Sequence, residues 1–161
     1  MNGQRTVKIG AVNYLTTTPL VYGLETLAPH AEVVYDLPSR LADRLASAEL
    51  DVALIPSIEY FQDPSYTVVS DACIGCRGPV LSVKLFSRVE VDEIRSLALD
   101  EGSRTSAMLV QIMLSERCGV EPTLEPLPLG CSPKDTTADA ILLIGDRAIS
   151  PPEEHYKVTW D

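Results

Sequence analysis

Basic residues are scarce in this chain: 13 Lys and Arg stand against 23 Asp and Glu, a formal net charge of -10. A sequence-independent hold on nucleic acid needs clustered cations to displace counterions, so no nucleic-acid partner is expected. Long apolar runs are missing as well. No stretch approaches the ~20 residues a membrane helix requires. Residues 1–8 are polar, with no apolar segment or small-residue cleavage site behind them. The expectation is a soluble, cytoplasmic protein that makes no use of a membrane. Histidine is limited to His30 and His155, and only one close cysteine pair occurs. Cys73-Ile74-Gly75-Cys76 has the spacing of a redox pair or half a zinc site. Cys118 and Cys131 form no second pair, and no helix opens at the first to stabilise a thiolate. Reduced thiols, no metal and no cofactor are therefore expected.

What is present is a globular composition, 45% hydrophobic over 161 residues, enough for one ordinary domain or two small lobes. The pattern alternates. Residues 7–12 read as a strand, 19–27 as a helix and 32–35 as a second strand. Pro38 opens a helix whose apolar face is Leu41, Leu45 and Leu50 with Ala42 and Ala46, and 52–55 is a continuous apolar strand of the kind buried in parallel sheets. An extended run at 80–86 leads to new territory, where strands at 97–99, 124–127 and 140–144 frame a helix at 105–118. Pro122, Pro126, Pro128 and Pro133 keep the intervening connection free of a long helix. The fold class is α/β, with right-handed crossovers. It divides into a first lobe, residues 1–81, and a second, 82–161, joined by a hinge near 78–84.

In open α/β sheets ligands gather beyond the carboxyl ends of the strands. Three segments meet that rule: 13–17, 56–60 and 103–106, which together place a cleft between the lobes. The last is the most informative, because Ser103, Arg104, Thr105 and Ser106 bring three hydroxyls and a guanidinium to a helix start. Behind them Met108, Leu109, Ile112 and Met113 recur at helical spacing. Backbone N–H groups and the positive end of the helix dipole favour a carboxylate or phosphate at such a turn; an ordinary N-cap would need only one hydroxyl. Arg104 suits a carboxylate in bidentate geometry and equally well solvent or Asp100. Asn13 serves either as a ligand contact or as a turn residue, and Asp146 either caps the turn after its strand or orients a ligand hydroxyl. Glu59 and Asp100 read as charges at helix starts, and Tyr14, Tyr22, Tyr60 and Phe61 as core aromatics more than as ring-flanking ones. No buried His or close carboxylate pair offers a general base.

Several segments together resemble the chorismate dehydratases of the futalosine route to menaquinone. They are Ile9-Gly10-Ala11-Val12-Asn13-Tyr14-Leu15, Pro19-Leu20-Val21-Tyr22-Gly23-Leu24, Pro38-Ser39-Arg40-Leu41-Ala42, residues 51–60, Gly78-Pro79-Val80-Leu81-Ser82-Val83, residues 97–106 and Leu142-Leu143-Ile144-Gly145-Asp146. The resemblance implies a type 2 periplasmic-binding-protein-like fold, two α/β lobes with a hinge, working inside the cell as a lyase without metal or redox cofactor. It also implies that this chain is incomplete at its C-terminus. The substrate it implies is chorismate, which loses its ring hydroxyl and a neighbouring proton to give 3-[(1-carboxyvinyl)oxy]benzoate. Thr16 stands where relatives usually have an asparagine. With Thr16 and Ser82 as the catalytic expectation, Asn13, Thr17, Ser57, Ser103, Arg104, Thr105 and Ser106 are the expected substrate contacts. A base supplied by the substrate's own carboxylate fits the absence of a protein base. Two other readings stay open: a binding module for small carboxylates, and a sibling resembling 1,4-dihydroxy-6-naphthoate synthase.

Overall fold

The computed structural model describes residues 5–151 and 154–161, so part of the polar terminus read at 1–8 lies outside the described residues. The chain separates into two compact units, Met1–Gly75 and Cys76–Asp161.

In the first unit, β1 (Val7–Val12) lies between β2 (Ala31–Asp36) and the two-residue β3 (Val52–Ala53), parallel to both. Helix α3 (Pro38–Ala46) packs Leu41 and Ala42 onto this sheet. Asp36 receives the Leu37 N–H at 2.9 Å just ahead of that helix. Leu50 lies beyond the helix rather than on its face, yet the chain turns back through Ala48 at φ 58 and returns it to the core with Val12 and Leu41. The single helix expected at 19–27 is broken. A 3-10 turn, Leu15–Thr17, precedes α1 (Thr18–Val21), and α2 (Leu24–Leu27) follows only after Gly23 adopts φ 79. Glycine takes that left-handed conformation without steric cost and weakens a helix interior, so the break falls there. The strand expected at 52–55 shortens to β3, and after Pro56 α4 (Ser57–Gln62) begins. Tyr22, Tyr60 and Phe61 are exposed rather than core, Tyr60 and Phe61 meeting edge to face at 5.9 Å.

The second unit is a five-stranded sheet in the order β6-β5-β7-β4-β8, where β4 is Val83–Ser87, β5 Ser96–Asp100, β6 Thr123–Leu127, β7 Ala140–Ile144 and β8 Val158–Trp160. Strands β6, β5 and β7 are parallel; β4 runs antiparallel to β7 and β8. Every residue of β7 is buried, and the alternation of strand side chains sorts them into two cores. Ala140 and Leu142 face α5 (Arg104–Cys118) through Val110 and Leu114, whereas Ile141 and Leu143 join Phe86, Leu127 and Ala148, the last from α6 (Asp146–Ile149). The face of α5 that packs is therefore Ala107, Val110, Leu114 and Cys118, not the expected stripe. Leu109 and Ile112 are 54% and 50% exposed. Among the described residues no helix is long and apolar enough to cross a membrane.

Gly10 sits where the first unit is tightest: a β-carbon there would lie 2.7 Å from Leu50 Cδ1, 2.8 Å from Leu41 Cδ2 and 2.9 Å from Ala53 Cβ. Two of these are movable side-chain ends and the third is not. Gly10→Ala is expected to destabilise the first unit by about 1–3 kcal/mol, the usual range for overpacking. Urea unfolding followed by circular dichroism measures it, and an unchanged midpoint would show that the sheet and α3 part more easily than this packing implies.

Candidate functional site

The turn between β5 and α5 is organised by a carboxylate rather than by its hydroxyls. Asp100, at the last position of β5, has a side chain with 0% exposure. Its Oδ1 accepts the Gly102 N–H at 3.0 Å, closing the turn two residues on. Its Oδ2 accepts the Ile144 N–H at 3.4 Å and Arg147 Nη1 at 3.1 Å, tying the turn to the end of β7 and to α6. Arg147 Nη2 reaches on to the Cys131 carbonyl at 2.8 Å. Burial pushes the Asp100 carboxyl above its usual range, while the Gly102 amide, the Arg147 charge and the Ile144 amide pull it back. Asp100 is thus not the helix-start charge expected. It is a buried tie, and its charge is met by Arg147.

On that support Ser103 is the N-cap of α5: its Oγ accepts the Ser106 N–H at 3.2 Å and lies 2.8 Å from Ser106 Oγ. The Ser103 and Ser106 hydroxyls are therefore engaged with each other and with the helix end. Ser103, Arg104, Thr105 and Ser106 are all half-buried and share the first turn of a 15-residue helix. A hollow of about 330 Å³ opens beside them, lined by Leu99, Ala107, Leu124 and Pro126 with Ser103 and Arg104. Asp100, Glu101 and Glu125 line it too, so the wall is less cationic than the sequence suggests. A hollow of about 360 Å³ elsewhere in this unit, bounded by Met113, Arg117, Cys118, Thr159, Trp160 and Asp161, contains none of the expected site residues.

Ser82 is half-buried immediately before β4, and its carbonyl accepts the Gly145 N–H at 2.7 Å. The first unit carries its own set. Asn13 and Thr16 are exposed just past β1, and Ser57 is exposed at the start of α4. Thr17 differs: it is 1% exposed, and its Oγ1 has no hydrogen-bond partner among the described residues. Sequence reasoning missed Arg147 and the anchoring role of Asp100. The signal was the Asp-x-Gly spacing, which suits an aspartate that bonds to the backbone two residues on. The four cysteines are free, and among the described residues no group of three or more His, Cys, Asp or Glu is placed to hold a metal ion.

Residues 7–161 match the menaquinone biosynthesis family. A curated relative, the chorismate dehydratase of Thermus thermophilus, is 30% identical over 142 residues, which is 88% of this chain and 51% of that enzyme. This chain therefore spans about half the length of that relative. The crystal structure of protein AF1704 from Archaeoglobus fulgidus superimposes with a TM-score of 0.72 at 16% identity, covering 89% of this chain and 55% of that one. That likeness establishes the α/β fold.

The Asp100 tie makes a prediction whose sign is fixed by its raised pKa. Folded Asp100 holds its proton more tightly than it does in the unfolded chain, so its ionisation weakens the fold as pH rises through the raised value. Removing the guanidinium enlarges that loss. Arg147→Ala is expected to cost about 3 kcal/mol at pH 7, as for a buried charge left unpaired, and less as pH falls toward the ordinary carboxylate range. Urea titrations across pH 4–7 measure the gap; one that stays constant with pH would show that Arg147 does not balance this carboxylate.

Proposed function

Because the chain belongs to the menaquinone biosynthesis family, we propose that it acts on chorismate as a dehydratase. The observation that carries this reading is the 30% identity, over 88% of the chain, to an enzyme named for that activity. In the proposed reaction the C–O bond to the ring hydroxyl and the C–H bond on the ether-bearing carbon both break. The C–H electron pair completes the aromatic ring, and hydroxide and proton leave as water, giving 3-[(1-carboxyvinyl)oxy]benzoate.

Chorismate carries two carboxylates, so the protein has to hold anions and align two departing groups more than it has to supply reactive groups. The start of α5 suits one carboxylate: the helix dipole is positive there, Arg104 stands in the first turn, and Thr105 adds a hydroxyl. Ser103 and Ser106 contribute mainly by fixing that turn, since their hydroxyls are joined. Ser82 offers a hydroxyl from the segment entering β4, and Thr16, Asn13, Thr17 and Ser57 are the first unit's proposed contacts. With no protein base proposed, a substrate carboxylate takes the ring proton while these groups hold the geometry. In this reading the chain is soluble and works in the cytoplasm on a small molecule, with neither nucleic acid nor membrane as a partner.

Incubating the purified protein with chorismate and following the benzoate product by mass and absorbance tests the reading. Conversion is expected. Ser82→Ala and Thr16→Ala are each expected to lower kcat/KM by about 10- to 100-fold, the range for a lost hydrogen bond to a charged group. Binding without turnover would favour a small-carboxylate binding module instead, and neither binding nor turnover would reject chorismate as the ligand.

A further inference from the structure

We infer that Asp161 is a positioning residue: it fixes the backbone just ahead of Ser82 and so sets where the Ser82 hydroxyl is presented to substrate. The inference rests on the role proposed for Ser82 above. Its basis is a fork of two bonds. The Val80 N–H donates to Asp161 Oδ1 at 2.5 Å and the Leu81 N–H donates to Oδ2 at 2.9 Å, so consecutive amides converge on one carboxylate. Such a pair of adjacent N–H groups is an anion-binding concavity, and here the chain's own side chain occupies it.

Leu81 shows what the fork enforces. Its φ is 66, a left-handed conformation that a residue with a branched side chain rarely adopts. Strain of this kind persists only where surrounding contacts over-determine the backbone, and it gathers at functional sites. The contacts are visible on both sides of Ser82. Asp161 grips the two amides before it, and the Gly145 N–H grips its carbonyl. These bonds hold the Asp161 carboxyl below its usual range, the Val80 amide contributing most and the Leu81 amide next, so it is charged at neutral pH.

The hydroxyl itself is left available. Ser82 Oγ makes no hydrogen bond to another described residue, whereas Ser87, at the end of β4, donates its hydroxyl to the Val89 carbonyl at 2.8 Å. One serine closes a turn, and the other is tied through its backbone carbonyl.

Two substitutions separate the backbone role from simple support of the fold. Asp161→Asn keeps one acceptor and turns an amide N–H₂ toward the second backbone N–H; Leu81→Gly takes the left-handed conformation without the fork. Chorismate affinity by calorimetry, together with kcat/KM, is measured for the unmodified chain, S82A, D161N, D161N/L81G and D161N/S82A. D161N is expected to lose about tenfold, L81G to restore most of it, and D161N to add nothing once Ser82 is alanine. Should D161N fold poorly, recovery of fold and affinity together in D161N/L81G supports the inference, and its absence overturns it. Affinity and turnover unchanged in D161N, or the same tenfold loss repeated in the S82A background, would also overturn it. An unmodified chain that neither binds nor converts chorismate instead overturns the proposed function, and with it the role given to Ser82.

Discussion

A carboxylate without solvent exposure must be met by donors or give up its charge, and the second unit is arranged around meeting one. Asp100 ends β5, and its two oxygens collect the Gly102 amide, the Ile144 amide and the Arg147 guanidinium. That one group registers the turn before α5 against the end of β7 and the α6 that directly follows it, 44 and 47 residues along the chain. Without it the Ser103 cap would have no fixed place from which to start the helix. The first turn of α5, which carries Arg104 and Thr105, is placed by electrostatics in the interior before any hydroxyl acts.

The same logic recurs at the same end of the sheet, toward its β8 edge, with a different carboxylate. Asp161 gathers the amides of Val80 and Leu81, and the strained backbone at Leu81 delivers the chain into β4 at Ser82. Both devices use aspartate oxygens on backbone N–H groups, which is how a protein with a formal charge of -10 can still fix short polar segments. The acidic surplus is partly structural. Negative charge that would oppose an anionic ligand is, at Asp100 and Asp161, already matched by donors.

Most of the secondary structure was legible because its signals are local: β7 is an apolar run of strand length, β1 is apolar from Ile9 to Val12, and α3 starts at a proline. The misreadings share a cause, which is that periodicity says where apolar residues recur but not which side meets the sheet. On α5 the small pair Ala107 and Cys118 packs with Val110 and Leu114, while the larger Leu109 and Ile112 face outward. Tyr22 and Phe61 were read inward for the same reason, yet stand exposed in a unit whose three strands provide little surface to cover them. The anion-suited turn at Ser103 to Ser106 was visible as a cluster of hydroxyls. Its support was not, because Asp100 lies far in sequence from Ile144 and Arg147, and only folding brings them within hydrogen-bond distance.

The most direct measurement is a titration of chorismate into ¹⁵N-labelled protein, read at assigned backbone amides. The amides of Ser103, Arg104, Thr105 and Ser106 are expected to move together and saturate, with Ser82 shifting along the same curve. Saturable binding that leaves those amides in place and instead moves Met113, Arg117 and Trp160, beside the other hollow, would contradict the assignment of the carboxylate to the start of α5.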